Sequence, residues 1–71
     1  MTAWSQNVFS SMVQSVGYNP DTQEMIVQWK NGKATAYQGV PEEEARRGSN
    51  EASVGGWLNS EIKGKYRFRN L

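Results

Sequence analysis

Met25-Ile26-Val27-Gln28-Trp29-Lys30-Asn31-Gly32-Lys33-Ala34-Thr35-Ala36-Tyr37-Gln38 is the stretch on which the fold turns. Val27 and Trp29 alternate with Gln28 and Lys30. That period of two puts one set of side chains on a buried face and the other in water. Asn31-Gly32 breaks the alternation with two residues that tolerate positive φ, the strongest short signal for a β-hairpin. Residues 33–38 then return as the second arm.

Working toward the N-terminus, residues 12–18 (Met-Val-Gln-Ser-Val-Gly-Tyr) read as a preceding strand. Asn19-Pro20-Asp21-Thr22 is the turn between, with Pro20 fixing φ and Asp21 able to bond its own backbone. The three strands make an antiparallel meander. Residues 1–9 form an N-terminal arm ahead of a domain at 10–71. Trp4 and Val8 are four apart, the spacing of a single helical turn, and a loose arm is the alternative. Trp4 and Phe9 are its large apolar anchors, suited to packing on their own domain or on a second subunit.

Toward the C-terminus, residues 40–48 read as a short helix. Pro41 suits the first turn, Glu42, Glu43 and Glu44 sit at the positive end of the dipole, Arg46 and Arg47 at the negative end, and Gly48 stops it. The charge run is explained without a ligand. Ser53 reads as the N-cap of a second helix on which Val54, Trp57, Leu58 and Ile62 make one apolar stripe, ended by Gly64. Tyr66-Arg67-Phe68-Arg69 alternates again as a last strand, with Tyr66 and Phe68 toward the core and Lys65, Arg67 and Arg69 away from it. The expected architecture is α+β: a three-stranded antiparallel meander, two short helices, then a C-terminal strand, forming a small curled sheet packed on helices.

At 71 residues the chain is one small domain. A chain of this size buries only about 60% of its unfolded surface. It has no cysteine and no histidine. Disulfides, cysteine zinc sites, serine–histidine and cysteine–histidine nucleophiles and histidine metal sites are therefore excluded. Neither a cofactor nor a metal is expected, and no catalytic constellation is visible. The glutamates at 42–44 lie on one exposed helix without a pocket for acid–base work. Net charge is +1, too small to demand a polyanionic partner, but its distribution is uneven. Residues 1–29 carry only Asp21 and Glu24, whereas residues 63–71 carry Lys63, Lys65, Arg67 and Arg69 and no acid. No apolar run has the length of a membrane span, and the first residues lack the pattern of a signal peptide. A cytoplasmic protein without a membrane partner is expected.

Four short motifs in order now resemble a known family. Ser10-Ser11-Met12-Val13-Gln14-Ser15-Val16-Gly17-Tyr18-Asn19, Met25-Ile26-Val27-Gln28-Trp29-Lys30-Asn31-Gly32, Val40-Pro41, and residues 53–66 from Ser53-Val54-Gly55-Gly56-Trp57 to Tyr66 resemble the KTSC domain. That domain is named for the C-terminal extension of some lysyl-tRNA synthetases and also occurs as a free-standing bacterial or phage protein. The resemblance covers residues 10–71 and implies a binding module rather than an enzyme, with RNA as the suggested ligand. The central tyrosine pair of the family is Thr35-Ala36-Tyr37 here, so one aromatic is missing.

Four groups of residues could carry function. Lys63, Lys65, Arg67 and Arg69, helped by Lys30 and Lys33, could follow a nucleic-acid backbone, or could simply guard a sheet edge against pairing. Tyr37, with Trp29, Trp57 and Tyr66, could stack bases; in so small a domain these rings also serve as core. Ser53, Gly55 and Gly56 could receive an anion at a helix start, or the glycines could allow close packing. Asn59 could cap a loop or read a ligand edge. The functional expectations are a module binding RNA or another nucleic acid through the basic last strand, a protein-interaction or homo-oligomerising module acting through Trp4 and Phe9, or a protein that sequesters nucleotides.

Overall fold

The hairpin at residues 25–38 sits at the centre of the sheet. In this computed structural model, which describes residues 3–71, five antiparallel strands lie in chain order: β1 (Trp4–Asn7), β2 (Val13–Asn19), β3 (Glu24–Trp29), β4 (Ala34–Gln38) and β5 (Phe68–Asn70). Helices α1 (Glu42–Ser49) and α2 (Val54–Trp57) stand between β4 and β5, and α2 runs on into one π-helical turn, Leu58–Ile62. The sheet is open, with β1 and β5 at its edges.

The sheet has one strand more than the sequence reading gives. Residues 4–7, read as a helical turn or a loose arm, pair with β2 in the register Trp4↔Tyr18 and Gln6↔Val16. Four residues are too few to show a strand period, and the partner strand supplies the order. The hairpin turn also differs in detail. Gly32 takes φ +88° while Asn31 stays out of the left-handed region. The Gly32 N–H bonds the Trp29 carbonyl at 3.1 Å, and Trp29 N–H bonds the Lys33 carbonyl at 2.9 Å. This is a three-residue loop in which glycine takes the left-handed position. In the turn after β2, Asn19 rather than Asp21 makes the side-chain bond, its Oδ1 accepting from Asp21 N–H at 3.0 Å.

Cross-strand register divides the sheet into two faces. One column runs Trp4–Tyr18–Met25–Tyr37–Phe68 and the next Gln6–Val16–Val27–Thr35–Asn70. These columns face the helices. Val13, Val16, Tyr18, Met25, Val27 and Tyr37 pack there with Val40, Ala45, Val54, Trp57, Leu58 and Ile62 into one core. The predicted stripe, carried by α2 and the π turn together, is thus buried as expected. Each of its aliphatic members contributes about 2 kcal/mol by leaving water. The Tyr18 hydroxyl donates to the Val40 carbonyl at 2.6 Å, tying α1's lead-in to the sheet. The opposite face carries Gly17, Ile26, Ala36 and Arg69 in one column.

Gly48 does not stop α1; it lies within the helix, which continues to Ser49. Trp57 packs against that glycine, and its indole N–H donates to Glu44 Oε1 at 3.3 Å. Gly64, at φ +82°, marks the end of the second helical segment as predicted. Among the described residues no helix is long and apolar enough to cross a membrane.

Candidate functional site

The helices are too short to cover all five strands, and this creates the site. Along the first column exposure rises at the β5 end: Tyr37 on β4 is 4% exposed and Phe68 on β5 is 61% exposed. Phe68 points to the core side, as its alternation requires, yet it is not core, because no helix reaches over the last strand. Its ring lies 6.1 Å from that of Tyr37, tilted by 48°. Tyr66, the other residue expected inside, is half-buried against the core.

The uncovered area is a groove of about 740 Å³ between the β3–β4 hairpin, β5 and the loop at Lys63-Gly64. Trp29, Tyr37 and Phe68 are its aromatic wall, with Met12 and Leu71 also lining it. Lys33 enters from the hairpin and Lys63 from the end of the π turn, and no carboxylate side chain lines it. The Lys63 ammonium sits 5.3 Å from the centre of the Trp29 ring. Trp29 is therefore partly occupied by a cation, and Phe68 is the ring left open to solvent. Burial raises the Tyr37 phenol above its ordinary pKa, so it remains an uncharged hydroxyl at neutral pH.

The predicted basic ladder is divided by the fold. Lys33 and Lys63 meet in the groove. Arg69 lies in the column of the opposite face and bonds Glu24, Nε to Oε2 at 3.1 Å. Chiefly through that hydrogen bond, Glu24 is held below the usual carboxylate range. Lys65 pairs with Glu61 at 3.3 Å. Lys30 and Arg67 are exposed outside the groove lining.

At the second candidate, Ser53 is the N-cap, and its Oγ accepts from Gly56 N–H at 3.3 Å. The helical segment that follows has only four residues, and its cap is supplied by the chain itself. A Cβ on Gly56 would stand 2.9 Å from that Oγ, while Gly55 has ordinary room. Asn59 is exposed and makes no side-chain hydrogen bond among the described residues. In the N-terminal segment, Trp4 stacks on Tyr18 with ring centres 5.9 Å apart, and its Nε1 donates to Glu42 Oε2 at 3.0 Å. Arg46 lies over the same indole at 4.7 Å and pairs with Glu42 at 3.1 Å. Trp4 thus packs on its own domain. Phe9 is 99% exposed.

Three of the sequence-selected residues, Lys33, Tyr37 and Lys63, line the groove, as does Trp29. Phe68, Asn70, Asn31 and Met12 line it too, and sequence reasoning passed them over as site residues. The available signal was size: two short helices cannot roof a sheet whose last strand follows them. Among the described residues no group of three or more carboxylates, histidines or cysteines could hold a metal ion.

Comparison with known proteins bears on the whole chain. The sequence model of the KTSC domain matches residues 9–66. Among solved structures, a KTSC domain protein from Yersinia pestis is similar at 31% identity, covering 99% of each chain with a TM-score of 0.89. A search of curated proteins finds no match to this sequence.

Proposed function

The chain belongs to the KTSC domain family, and on that premise we propose that it is a non-enzymatic module that binds single-stranded nucleic acid, RNA foremost, in the groove beside β5. One observation carries the reading: an uncovered concave surface with an open aromatic ring, two lysines and no carboxylate side chain. Bases stack on aromatic faces regardless of sequence, and lysines follow the phosphates. The contact surface in this proposal is the groove rather than the whole basic strand, because Arg69 is turned to the other face and held by Glu24. The proposed setting is the cytoplasm, which a chain without cysteine fits.

The test is fluorescence anisotropy of a labelled single-stranded RNA across salt concentrations. Binding at low salt that weakens as salt rises is expected. Lys33→Ala and Lys63→Ala are each expected to reduce the salt slope by about one, with Arg69→Ala close to the parent. Salt-indifferent binding, or no binding, overturns the proposal.

A second reading, a protein-interaction or self-associating module, is favoured by Phe9, whose side chain is almost wholly in solvent. Light scattering decides it. An oligomer that Phe9→Ser dissolves supports association, and a monomer at high concentration removes self-association.

A further inference from the structure

The two open edges of the sheet are defended unequally. At β5, Arg67 and Arg69 flank Phe68 with charge, a usual guard against pairing with a second chain. β1 reads Trp4-Ser5-Gln6-Asn7, with no charge, no proline and an unbroken register against β2. The bond from Val8 N–H to the Gln14 carbonyl at 3.2 Å fixes its hydrogen-bonding phase. Bonded pairs recur at every second residue of an antiparallel ladder, so Trp4, Gln6 and Val8 spend their backbone groups on β2. The N–H and carbonyl groups of Ser5 and Asn7 point the other way, and nothing among the described residues bonds them. Both residues are exposed. Two positions on, Phe9 stands almost wholly in solvent.

We infer that β1 pairs with β1 of a second copy of this chain, antiparallel about a twofold axis between the two Gln6 residues. The inference rests on the self-associating reading and names its surface. A strand whose free groups sit on alternate residues pairs with its own copy only where those residues come opposite each other. The register with most bonds inside β1 sets Gln6 against the partner's Gln6, Ser5 against the partner's Asn7, and Asn7 against the partner's Ser5. The last two pairs each close two backbone hydrogen bonds. The same surface serves both copies, so the assembly closes as a dimer. No like charges oppose each other on β1, whereas β5 paired with itself would bring its arginines together. The register carries Phe9 opposite the partner's Ala3, and a covered phenylalanine buries about 150–250 Å². Two such rings and two short strand edges make an interface below about 1,200 Å², the size of a reversible dimer. The Trp4 indole takes no part, being held on its own chain by Tyr18 and Glu42.

The chain has no cysteine, so a single introduced one reports the register. Facing residues of a non-hydrogen-bonded pair stand about 4.5 Å apart at Cα, within disulfide reach. Asn7 is two residues out of register with the partner's Asn7, beyond the roughly 7 Å that a disulfide spans. Under mild oxidation Gln6→Cys is expected to run as a covalent dimer on a non-reducing gel, and Asn7→Cys, the more exposed site, to stay monomeric. Light scattering across concentrations on the parent is expected to show a reversible monomer–dimer equilibrium. Ser5→Pro removes an N–H that β2 does not use, and two of the intermolecular bonds go with it. Dimerisation should weaken by at least about tenfold, with thermal unfolding confirming the fold; the cross-link decides alone should that variant not fold. A dimer in which Gln6→Cys fails to cross-link, or cross-links no more readily than Asn7→Cys, overturns this inference and leaves self-association through another surface standing. So does a dimer that a folded Ser5→Pro leaves intact. A monomer at every concentration overturns both.

Discussion

Gly48 and Trp57 meet so closely that a Cβ on residue 48 would fall 1.8 Å from the Cε2 of the indole. The ring therefore rests on bare backbone, and α1 and α2 are locked together there. Gly48→Ala should destabilise the protein by about 2 kcal/mol. The clash of an overpacked core costs about 1–3 kcal/mol, against a gain of up to about 1 kcal/mol in helix propensity. Urea unfolding followed by tryptophan fluorescence measures it, and an unchanged or higher midpoint would contradict this seat.

Trp4 ties β1 to α1 through Glu42 and Arg46. Trp4→Ala should lower stability by about 2 kcal/mol, the loss of a half-buried aromatic with its hydrogen bond. Thermal unfolding reads the stability, and light scattering on the same samples should show no change in mass, since the indole packs within its own chain.

Acid should weaken the β3–β5 connection. Glu24 is held below the ordinary carboxylate range by Arg69. A carboxylate with a depressed folded-state pKa contributes stability above its unfolded value and loses it as pH falls through the folded one. Melting temperature measured from neutral to acid pH should fall less steeply for Glu24→Gln than for the parent. Parallel curves would show that the ion pair contributes nothing.

At the alkaline end the sign reverses. Burial, with Glu42 adding to it, raises the Tyr18 phenol above its ordinary pKa. A neutral group held this way contributes stability below its unfolded pKa and loses it as pH rises through the folded one. Tyr18→Phe should cost about 1 kcal/mol at neutral pH by orphaning the Val40 carbonyl, and should flatten the alkaline loss of stability. Unfolding at neutral and alkaline pH provides the comparison.

Phe68 is expected to separate binding from folding. Its ring is mostly in solvent, so Phe68→Ala should change stability by less than about 0.5 kcal/mol. The same substitution should weaken single-stranded RNA binding by about tenfold through the lost stacking surface. Anisotropy and thermal unfolding of one preparation give both readings, and intact affinity would remove Phe68 from the site.

Much of the fold is legible locally. The alternation around Val27 and Trp29 marks β3, Asn31-Gly32 marks the hairpin, and the spacing of Val54, Trp57, Leu58 and Ile62 marks the buried stripe. Gly48 shows where such reading misleads. Its place after two arginines imitates a helix stop, and only the indole arriving from nine residues later explains it. The site is legible in part. Lys33, Tyr37 and Lys63 were visible as residue types suited to nucleic acid, but the sequence placed Phe68 inside.

Period, capping and composition are properties of neighbouring residues, and they alone determined a small α+β domain, its central hairpin, its helical stripe and the absence of cysteine and histidine chemistry. Which strands the helices cover is a property of the whole molecule. Tertiary structure alone decided that Trp4 leads an edge strand, that Arg69 and Lys63 part to opposite sides, and that Phe68 stands open beside two lysines. The physical reason is that a sheet larger than its helical roof must leave a face uncovered, and only the packed chain settles where.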